Sequence, residues 1–308
     1  MIKRRANFLV LLLAFWISTG GLFARPAAGM NGQPETTPLQ ETSAKIHPAV
    51  RAQMLAAKPT DLLPVIVRMV RQEPAITQPG HPKKDHKELL QSLKSLAEVD
   101  QKALKQLLKQ KNAKGQARGS ISFWIFNGLA VKAAPEVIQA IAALPEVAWI
   151  EPDITISAEE ALAQEPAPNP TANLARTGAP ALWNLGFRGQ GVVVANMDTG
   201  VYLDHPDLVK QWRGGTNSWF DPYNQHLTPV DFSAGQSGHG TFTMGVMVGQ
   251  GSSGSTIGMA PDAQWIAVKI FNDSGKATTG AIHLRFQWLL DPDGDPATDD
   301  APDVVNNS

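Results

Sequence analysis

Residues 191–200 read GVVVANMDTG, and this stretch decides the fold of the C-terminal half. The run from Val192 to Met197 is apolar except for one asparagine, and it ends at Asp198. A strand that is apolar on both faces is typical of a parallel sheet covered on both sides. Three later segments continue the pattern as strand, helix and strand: AQWIAVKIF (263–271), TGAIHLRFQWLL (279–290) and APDVVNNS (301–308). This predicts an α/β fold with Asp198 at the carboxyl end of a strand, where such sheets bind ligands.

A second residue with chemical potential is His239, in the stretch SGHGTFTMG at 237–245. Two glycines flank it, and glycine costs more chain entropy on folding than any other residue. The pattern therefore indicates that something approaches the ring closely. Taken singly, Asp198 and His239 are weak signals, because a strand-end aspartate commonly caps a turn and a lone histidine commonly lies on the surface.

Together, and in this order, the two motifs are a much more specific signal than either one alone. NMDTGV, followed roughly forty residues later by GHGT, resembles the first two signatures of the subtilisin-like serine peptidases, the subtilases. Three more segments are similar to the family: YLDHPDL (202–208), GMAPDAQWIAVKIF (258–271) and PDVVNNS (302–308). The resemblance covers residues 177–308 and implies the N-terminal part of a subtilisin-like, parallel-sheet catalytic domain.

The resemblance also implies a Ser–His–Asp triad for proteolysis, in which His239 is the general base and Asp198 orients it. Ser308 matches the first residue of the family's substrate-binding strand segment. The family's oxyanion asparagine and nucleophilic serine follow in a segment beyond Ser308. The sequence is therefore expected to be the N-terminal portion of a longer endopeptidase precursor that is inactive without that segment.

Residues 62–157 predict a separate, small α+β domain. Strand, helix, strand, helix and strand patterns follow one another, with one long helix over Leu89 to Leu108 and a break at Asn127–Gly128 that can divide the middle strand. This order indicates a ferredoxin-like fold. The segments FNGLAVKA (126–133) and IAALPEVAWIEPD (141–153) resemble the subtilase propeptide, which implies an intramolecular inhibitor of the enzyme.

The segments before and after the small domain have the composition of a signal peptide, a tether and a linker. Residues 1–29 combine a basic start, a short apolar run and small residues, which is typical of a signal peptide and implies a secreted, extracellular protein. The apolar run is about half of the roughly 20 residues that a membrane span needs, so no membrane association is expected after cleavage. Residues 30–61 predict a tether, and residues 158–176 predict a linker rich in proline and alanine.

Composition narrows the choice of partners. The 308 residues carry a net charge of −1, which gives no global attraction for nucleic acid. The first 157 residues hold 20 basic and 12 acidic side chains, whereas the remainder holds 7 and 16. This asymmetry fits either two domains that dock on each other or a basic helix beside acidic loops. Cysteine is absent, which excludes thiol and disulfide chemistry. Polypeptide substrates and the chain's own propeptide remain the expected partners.

Metal binding and other functions stay open. The triad requires no cofactor, but structural calcium is compatible with Asp207, which matches a family calcium ligand by its distance from Asp198. The acidic run 291–300 has the carboxylate density of a calcium loop, but Gly294 is not where an EF-hand loop needs its glycine, which favours a solvated acidic turn. His205, His226 and His283 have no recognisable partners in the sequence, so we expect them to lie on the surface. One alternative is a metal-dependent hydrolase that uses Asp198, Asp204, His205, Asp207 and His239. Another is a stand-alone protease inhibitor with a vestigial catalytic domain.

Overall fold

A computed structural model describes five ranges of the chain: residues 42–72, 86–158, 172–231, 238–251 and 255–308. The predicted signal peptide, residues 1–29, lies outside the described residues, as does most of the predicted linker. Within the five ranges, no helix is both long and apolar enough to cross a membrane.

The N-terminal domain is an antiparallel sheet packed against helices. Its four strands lie in the order β2 (Ala117–Phe123), β3 (Gly128–Ala133), β1 (Leu63–Met69) and β4 (Val147–Pro152). This is the order of a ferredoxin-like fold and confirms that prediction. A buried apolar core, in which Val67 and Ile138 are fully inaccessible, joins the sheet to the helices. The elements are α1 (Pro48–Ala56), β1 (Leu63–Met69), α2 (His86–Asp100), α3 (Lys102–Ala113), β2 (Ala117–Phe123), β3 (Gly128–Ala133), α4 (Pro135–Ala142) and β4 (Val147–Pro152).

Two sequence predictions in this region need correction. The tether assigned to residues 30–61 does not hold for residues 42–61, because α1 lies there and Val50 is fully buried in the core. A nine-residue helix with one buried side chain leaves almost no periodic signal in the sequence. The single long helix is two helices that meet at Gln101, whose buried amide donates to Phe123 O and Asn127 Oδ1.

The C-terminal domain contains the predicted parallel sheet, with its strands in the order β10 (Val304–Asn307), β6 (Val193–Asp198), β8 (Gln264–Lys269) and β7 (Trp219–Phe220). Separate apolar clusters cover its two faces: Met244 and Trp265 belong to one, and Met197 and Leu289 to the other. Strands β6 and β8 are thus buried on both sides, as their apolar sequences predicted, whereas Val304 and Val305 of β10 are exposed. The elements are α5 (Ala172–Thr177), α6 (Ala179–Asn184), β6 (Val193–Asp198), a 3₁₀ turn (Val209–Gln211), β7 (Trp219–Phe220), α7 (His239–Val248), β8 (Gln264–Lys269), β9 (Lys276–Thr278), α8 (Thr279–Leu290) and β10 (Val304–Asn307).

The boundary between the domains also differs from the prediction. Helix α5 begins at Ala172, inside the linker predicted for residues 158–176, and its Leu174 is buried. Before the linker, the last predicted strand is divided after Pro152 into β4 and a short strand β5 (Thr155–Ser157). Strand β5 leaves its own domain and pairs with β9. The two domains are therefore joined by a shared β-ladder as well as by the chain.

Candidate active site

Asp198 and His239 meet at the carboxyl edge of the parallel sheet. Strand β6 ends at Asp198 and helix α7 begins at His239. The Nδ1 atom of His239 lies 2.7 Å from Asp198 Oδ1. Because a carboxylate oxygen accepts this hydrogen bond, Nδ1 carries the proton, and in the neutral imidazole Nε2 then holds the lone pair. Asp198 is 1% exposed, whereas the His239 side chain is 35% exposed. The imidazole thus has one buried, anchored nitrogen and a surface open to solvent.

Gly240, the residue after His239, lets the start of α7 lie close to the end of β6. A Cβ atom added at Gly240 would stand 1.9 Å from Gly200 O and 3.1 Å from Asp198 Cβ. Only a residue without a side chain lets helix α7 begin this close to the end of β6. The close approach suspected from the sequence is therefore between two backbone segments, and it sets the distance from His239 to Asp198.

Asp231 is a site residue that the sequence analysis missed. Its carboxylate accepts hydrogen bonds from Thr199 Oγ1 at 2.7 Å and from Thr241 N at 2.7 Å. The helix N-cap, Gly238, has no side chain to offer, so Asp231 satisfies the first turn of α7 from a different segment. An acid at a helix N-terminus is also favoured by the helix dipole. No sequence pattern links Asp231 to α7, because the contact exists only once Asp231 lies beside Gly200 at the end of β6.

Thr243 and Asn196 form a second set of contacts that the sequence analysis missed. Thr243 Oγ1 lies 3.0 Å from Asp198 Oδ2, on the oxygen that His239 does not use. Asn196, which is fully buried, donates from Nδ2 to Thr243 Oγ1 and to Gly240 O, both at 2.9 Å. The spacing of four residues from His239 to Thr243 was available in the sequence, since helix positions i and i+4 share a face.

Strand β5 brings the tail of the N-terminal domain to the C-terminal domain. It pairs antiparallel with β9, with Ile156 opposite Ala277 and Ser157 opposite Lys276. Beyond the ladder, Ala158 N donates to Gly275 O at 2.8 Å. A peptide added as an extra strand is a common way of binding an extended chain. The tail therefore lies on the C-terminal domain as an extended polypeptide would.

Helix α8 supplies the rest of the contact between the domains. Asp153 Oδ1 accepts from Gly280 N at 2.7 Å and from Thr279 Oγ1 at 2.9 Å, which caps the helix. At the other end of the helix, Lys94 forms an ion pair with Asp291, whose side chain is 2% exposed. Opposite charges thus join the domains at Lys94, as the charge asymmetry between the halves suggested.

His283 of α8 corrects a sequence prediction, because it lies in this interface and not on a free surface. Its ring packs against the rings of Phe126 and Phe123, at centroid distances of 4.7 and 5.8 Å. Burial lowers the pKa of His283, and the nearby Arg68 lowers it further, while Glu151 and Asp153 act in the opposite direction. Its Nδ1 atom is buried without a hydrogen-bond partner. The interface is therefore built for the neutral imidazole.

The residues of the alternative metal site do not converge. Throughout the described ranges, the one group of three or more potential ligands with atoms within 4.8 Å of one another is Asp291, Asp293 and Asp300. That group lies in the predicted acidic run, and Lys94 Nζ contacts both Asp291 and Gly294 O there. His205 Nδ1 instead accepts from Asp207 N at 3.3 Å. The geometry thus favours the Asp198–His239 pair over a metal-dependent hydrolase.

Comparison with known proteins separates the same two domains. The family profile described as Subtilase family matches residues 189–308, and the one described as Peptidase inhibitor I9 matches residues 64–159. Bacillopeptidase F of Bacillus subtilis (strain 168) is 34% identical over 71% of this chain. The chain belongs to the subtilase family. Its N-terminal domain is an I9-type propeptide domain.

Two further proteases are similar to this chain. Minor extracellular protease Vpr of Bacillus subtilis (strain 168) is 28% identical over 60% of this chain. The crystal structure of the epidermin leader peptide processing serine protease from Staphylococcus aureus aligns with 80% of this chain and 50% of that one, at 16% identity and a TM-score of 0.47. This subtilase chain spans 17% of bacillopeptidase F and 23% of the Vpr protease.

Proposed function

We propose that this chain is the N-terminal part of a secreted serine endopeptidase precursor with an intramolecular propeptide inhibitor. The observation that carries the proposal is the hydrogen bond of 2.7 Å between His239 Nδ1 and Asp198 Oδ1 at the carboxyl edge of the sheet. Asp198 and His239 are two members of a Ser–His–Asp triad. The serine comes from a segment that follows Ser308, as the subtilase resemblance implies.

In this mechanism, His239 Nε2 removes the proton from the serine hydroxyl as the oxygen attacks the scissile carbonyl carbon. The imidazolium then gives that proton to the leaving amine, which leaves an acyl-enzyme. A water molecule, deprotonated by the same nitrogen, hydrolyses the ester and restores the serine. Asp198 stays ionised throughout, holds the proton on Nδ1 and stabilises the imidazolium. No cofactor takes part in this sequence of steps.

Polypeptide substrates bind in extended form beside β9, and β10 with Ser308 lines the opposite side of the cleft. The support for this is strand β5, which already pairs with β9 through backbone hydrogen bonds. The same contact makes the propeptide an inhibitor, because its tail occupies the strand that a substrate needs. Secretion is supported by the signal-peptide pattern of residues 1–29.

The test uses an extended form, which is residues 30–308 followed by the natural C-terminal segment with the serine. We expect a fluorophosphonate probe to label the extended form and residues 30–308 alone to stay unlabelled. His239→Ala and Asp198→Asn should each lower peptide turnover by roughly 10⁴-fold, because triad members act as a unit. Circular dichroism checks that both variants fold. Turnover near that of the parent in either variant would remove that residue from the mechanism.

A chelator distinguishes this proposal from metal-dependent hydrolysis. A serine peptidase keeps its activity in a short assay with chelator, whereas a metal-dependent hydrolase loses it at once. Thermal stability is measured in the same samples, because loss of a structural calcium ion would lower the melting temperature without stopping the chemistry. Immediate loss of turnover at unchanged stability would favour the metal-dependent alternative.

A further inference from the structure

We propose that Thr243 is a positioning residue for the aspartate of the proposed triad, and that Asn196 and Asn306 connect it to strand β10. The inference rests on the proposed function of Asp198 and His239. It assigns to this chain a directed line of hydrogen bonds that begins beside Ser308 and ends on Asp198. Three side chains form the line: Asn306, Asn196 and Thr243.

The direction of each hydrogen bond follows from the contacts of Asn196. Its Nδ2 atom lies 2.9 Å from Gly240 O, and a backbone carbonyl only accepts. The nitrogen is thereby identified, and its second hydrogen points to Thr243 Oγ1 at 2.9 Å. The other amide atom, Oδ1, must accept, and Asn306 Nδ2 donates to it at 2.9 Å. No alternative orientation of the Asn196 amide satisfies all three contacts.

Thr243 then has a single proton to donate and two acceptors within reach. Asp198 Oδ2 lies at 3.0 Å and Gly240 O lies at 3.1 Å. Gly240 O already accepts from Asn196, whereas a charged carboxylate is the stronger acceptor. The hydroxyl proton therefore goes to Asp198 Oδ2. Asp198 is held from both sides, because His239 Nδ1 and Thr199 N donate to its Oδ1 atom at 2.7 and 2.6 Å.

This arrangement fixes the rotation of the carboxylate. An aspartate that is held through one oxygen can turn about its last bond, and the histidine would turn with it. Thr243 and His239 stand four residues apart on α7, so one rigid helix presents both donors. The two bonds together define the plane of the carboxylate, which in turn orients the imidazole.

The line also reaches the strand that lines the proposed cleft. Asn306 lies on β10, opposite Asn196 on β6 in the parallel register. Its Nδ2 atom also donates to Ser308 Oγ at 2.9 Å. A displacement of β10 would therefore break the hydrogen bond from Asn306 to Asn196 Oδ1, which helps to hold the amide that donates to Thr243. The geometry connects the position of the cleft strand to the orientation of Asp198.

The test compares Thr243→Val, which keeps the shape but removes the hydroxyl, with Thr243→Ser, which keeps the hydroxyl. Both are made in the extended form, with Thr177→Val on α5 as a matched control. We expect Thr243→Val to lower kcat by about 10- to 100-fold with KM within about twofold, since one hydrogen bond to a charged group is lost. Thr243→Ser should recover most of kcat, and Thr177→Val should match the parent.

Proton nuclear magnetic resonance gives a readout that does not need turnover. The resonance of the His239 Nδ1 proton is identified by its absence in His239→Ala. Its chemical shift should change in Thr243→Val and stay the same in Thr177→Val. An unchanged chemical shift of this proton together with an unchanged kcat in Thr243→Val would overturn the positioning role. If fluorophosphonate does not label the extended form, the proposed function fails. The chemical shift of the His239 Nδ1 proton still decides whether Thr243 acts on the Asp198–His239 pair.

Discussion

Ile156 of the propeptide domain pairs with Ala277 of the catalytic domain in an antiparallel ladder. The two residues belong to strands of three residues each, and β9 lies outside the parallel sheet. The ladder satisfies backbone groups of β9 that would otherwise face solvent or bind another peptide. The same strand is therefore available to one extended chain at a time. Under the proposed function, inhibition by the propeptide and binding of substrate are therefore alternatives.

The first prediction is the site of propeptide removal. We expect self-cleavage between Ser157 and Ala175, because the ladder holds the chain up to Ser157 and Ala158 N still bonds to Gly275 O. N-terminal sequencing of the mature enzyme measures the cleavage site. A mature protein that begins before Leu144 would contradict the prediction, since cleavage there cuts into the fold of the propeptide domain.

The second prediction concerns the cap that Asp153 places on α8. Asp153→Ala in the propeptide, residues 42–158, removes two hydrogen bonds to the helix N-terminus. Each bond to a charged group is worth roughly 1.5–3 kcal/mol, so the loss of both should raise the inhibition constant against the mature enzyme by about 100-fold or more. Asp61→Ala is the matched control, because Asp61 caps Lys58 N within its own domain. Equal inhibition constants for the two variants would show that the cap does not contribute to docking.

The third prediction is that inhibition weakens in acid through His283. In the complex, burial and Arg68 lower the pKa of His283, so the neutral ring is bound more tightly than the charged one. In the free enzyme the ring is released from Phe123 and Phe126, and we expect an ordinary pKa of about 6.5. Binding energy is then fully present above about pH 6.5 and is lost as the pH falls below it.

His283→Gln provides the control for this effect, because glutamine stays neutral. The inhibition constant of the propeptide is measured from pH 5.5 to pH 8 for both enzymes. The parent should show a rise toward low pH, up to about tenfold per pH unit, that the variant lacks. Parallel profiles for parent and variant would assign the acid sensitivity to other groups.

The fourth prediction is that alanine has opposite effects on stability at two glycines of helix α7, Gly240 and Gly245. Gly240→Ala should destabilise the catalytic domain by about 3 kcal/mol or more, because the new Cβ would overlap with Gly200 O at 1.9 Å. Gly245→Ala should stabilise it by about 1 kcal/mol, since nothing lies within 4 Å of that Cβ and alanine favours the helix. Melting temperatures of inactive His239→Ala forms measure both changes without self-digestion. A stable Gly240→Ala protein would refute the close approach of α7 to β6.

The sequence by itself determined the two domains, the parallel sheet and the places of Asp198 and His239. These depend on local signals, since a continuous apolar strand, a helix period and a glycine-flanked histidine are legible over about ten residues. Short helices gave no such signal, which is why α1 was predicted as part of a tether. The interruption at Gln101 was equally hidden, because buried amide contacts with the β2–β3 turn lie at that position.

Only the tertiary structure decided which side chains hold Asp198 and His239 in place. Asp231 contacts α7, Asn196 of β6 contacts α7, and Thr243 of α7 contacts Asp198 of β6. These contacts join segments that are far apart in the chain, so the roles of the three residues exist only once those segments have packed together. The same holds for His283, which became part of an interface because another domain packs on its helix. Local composition reports whether a residue is apolar or able to form a helix, whereas the partner of a polar side chain is set by long-range packing.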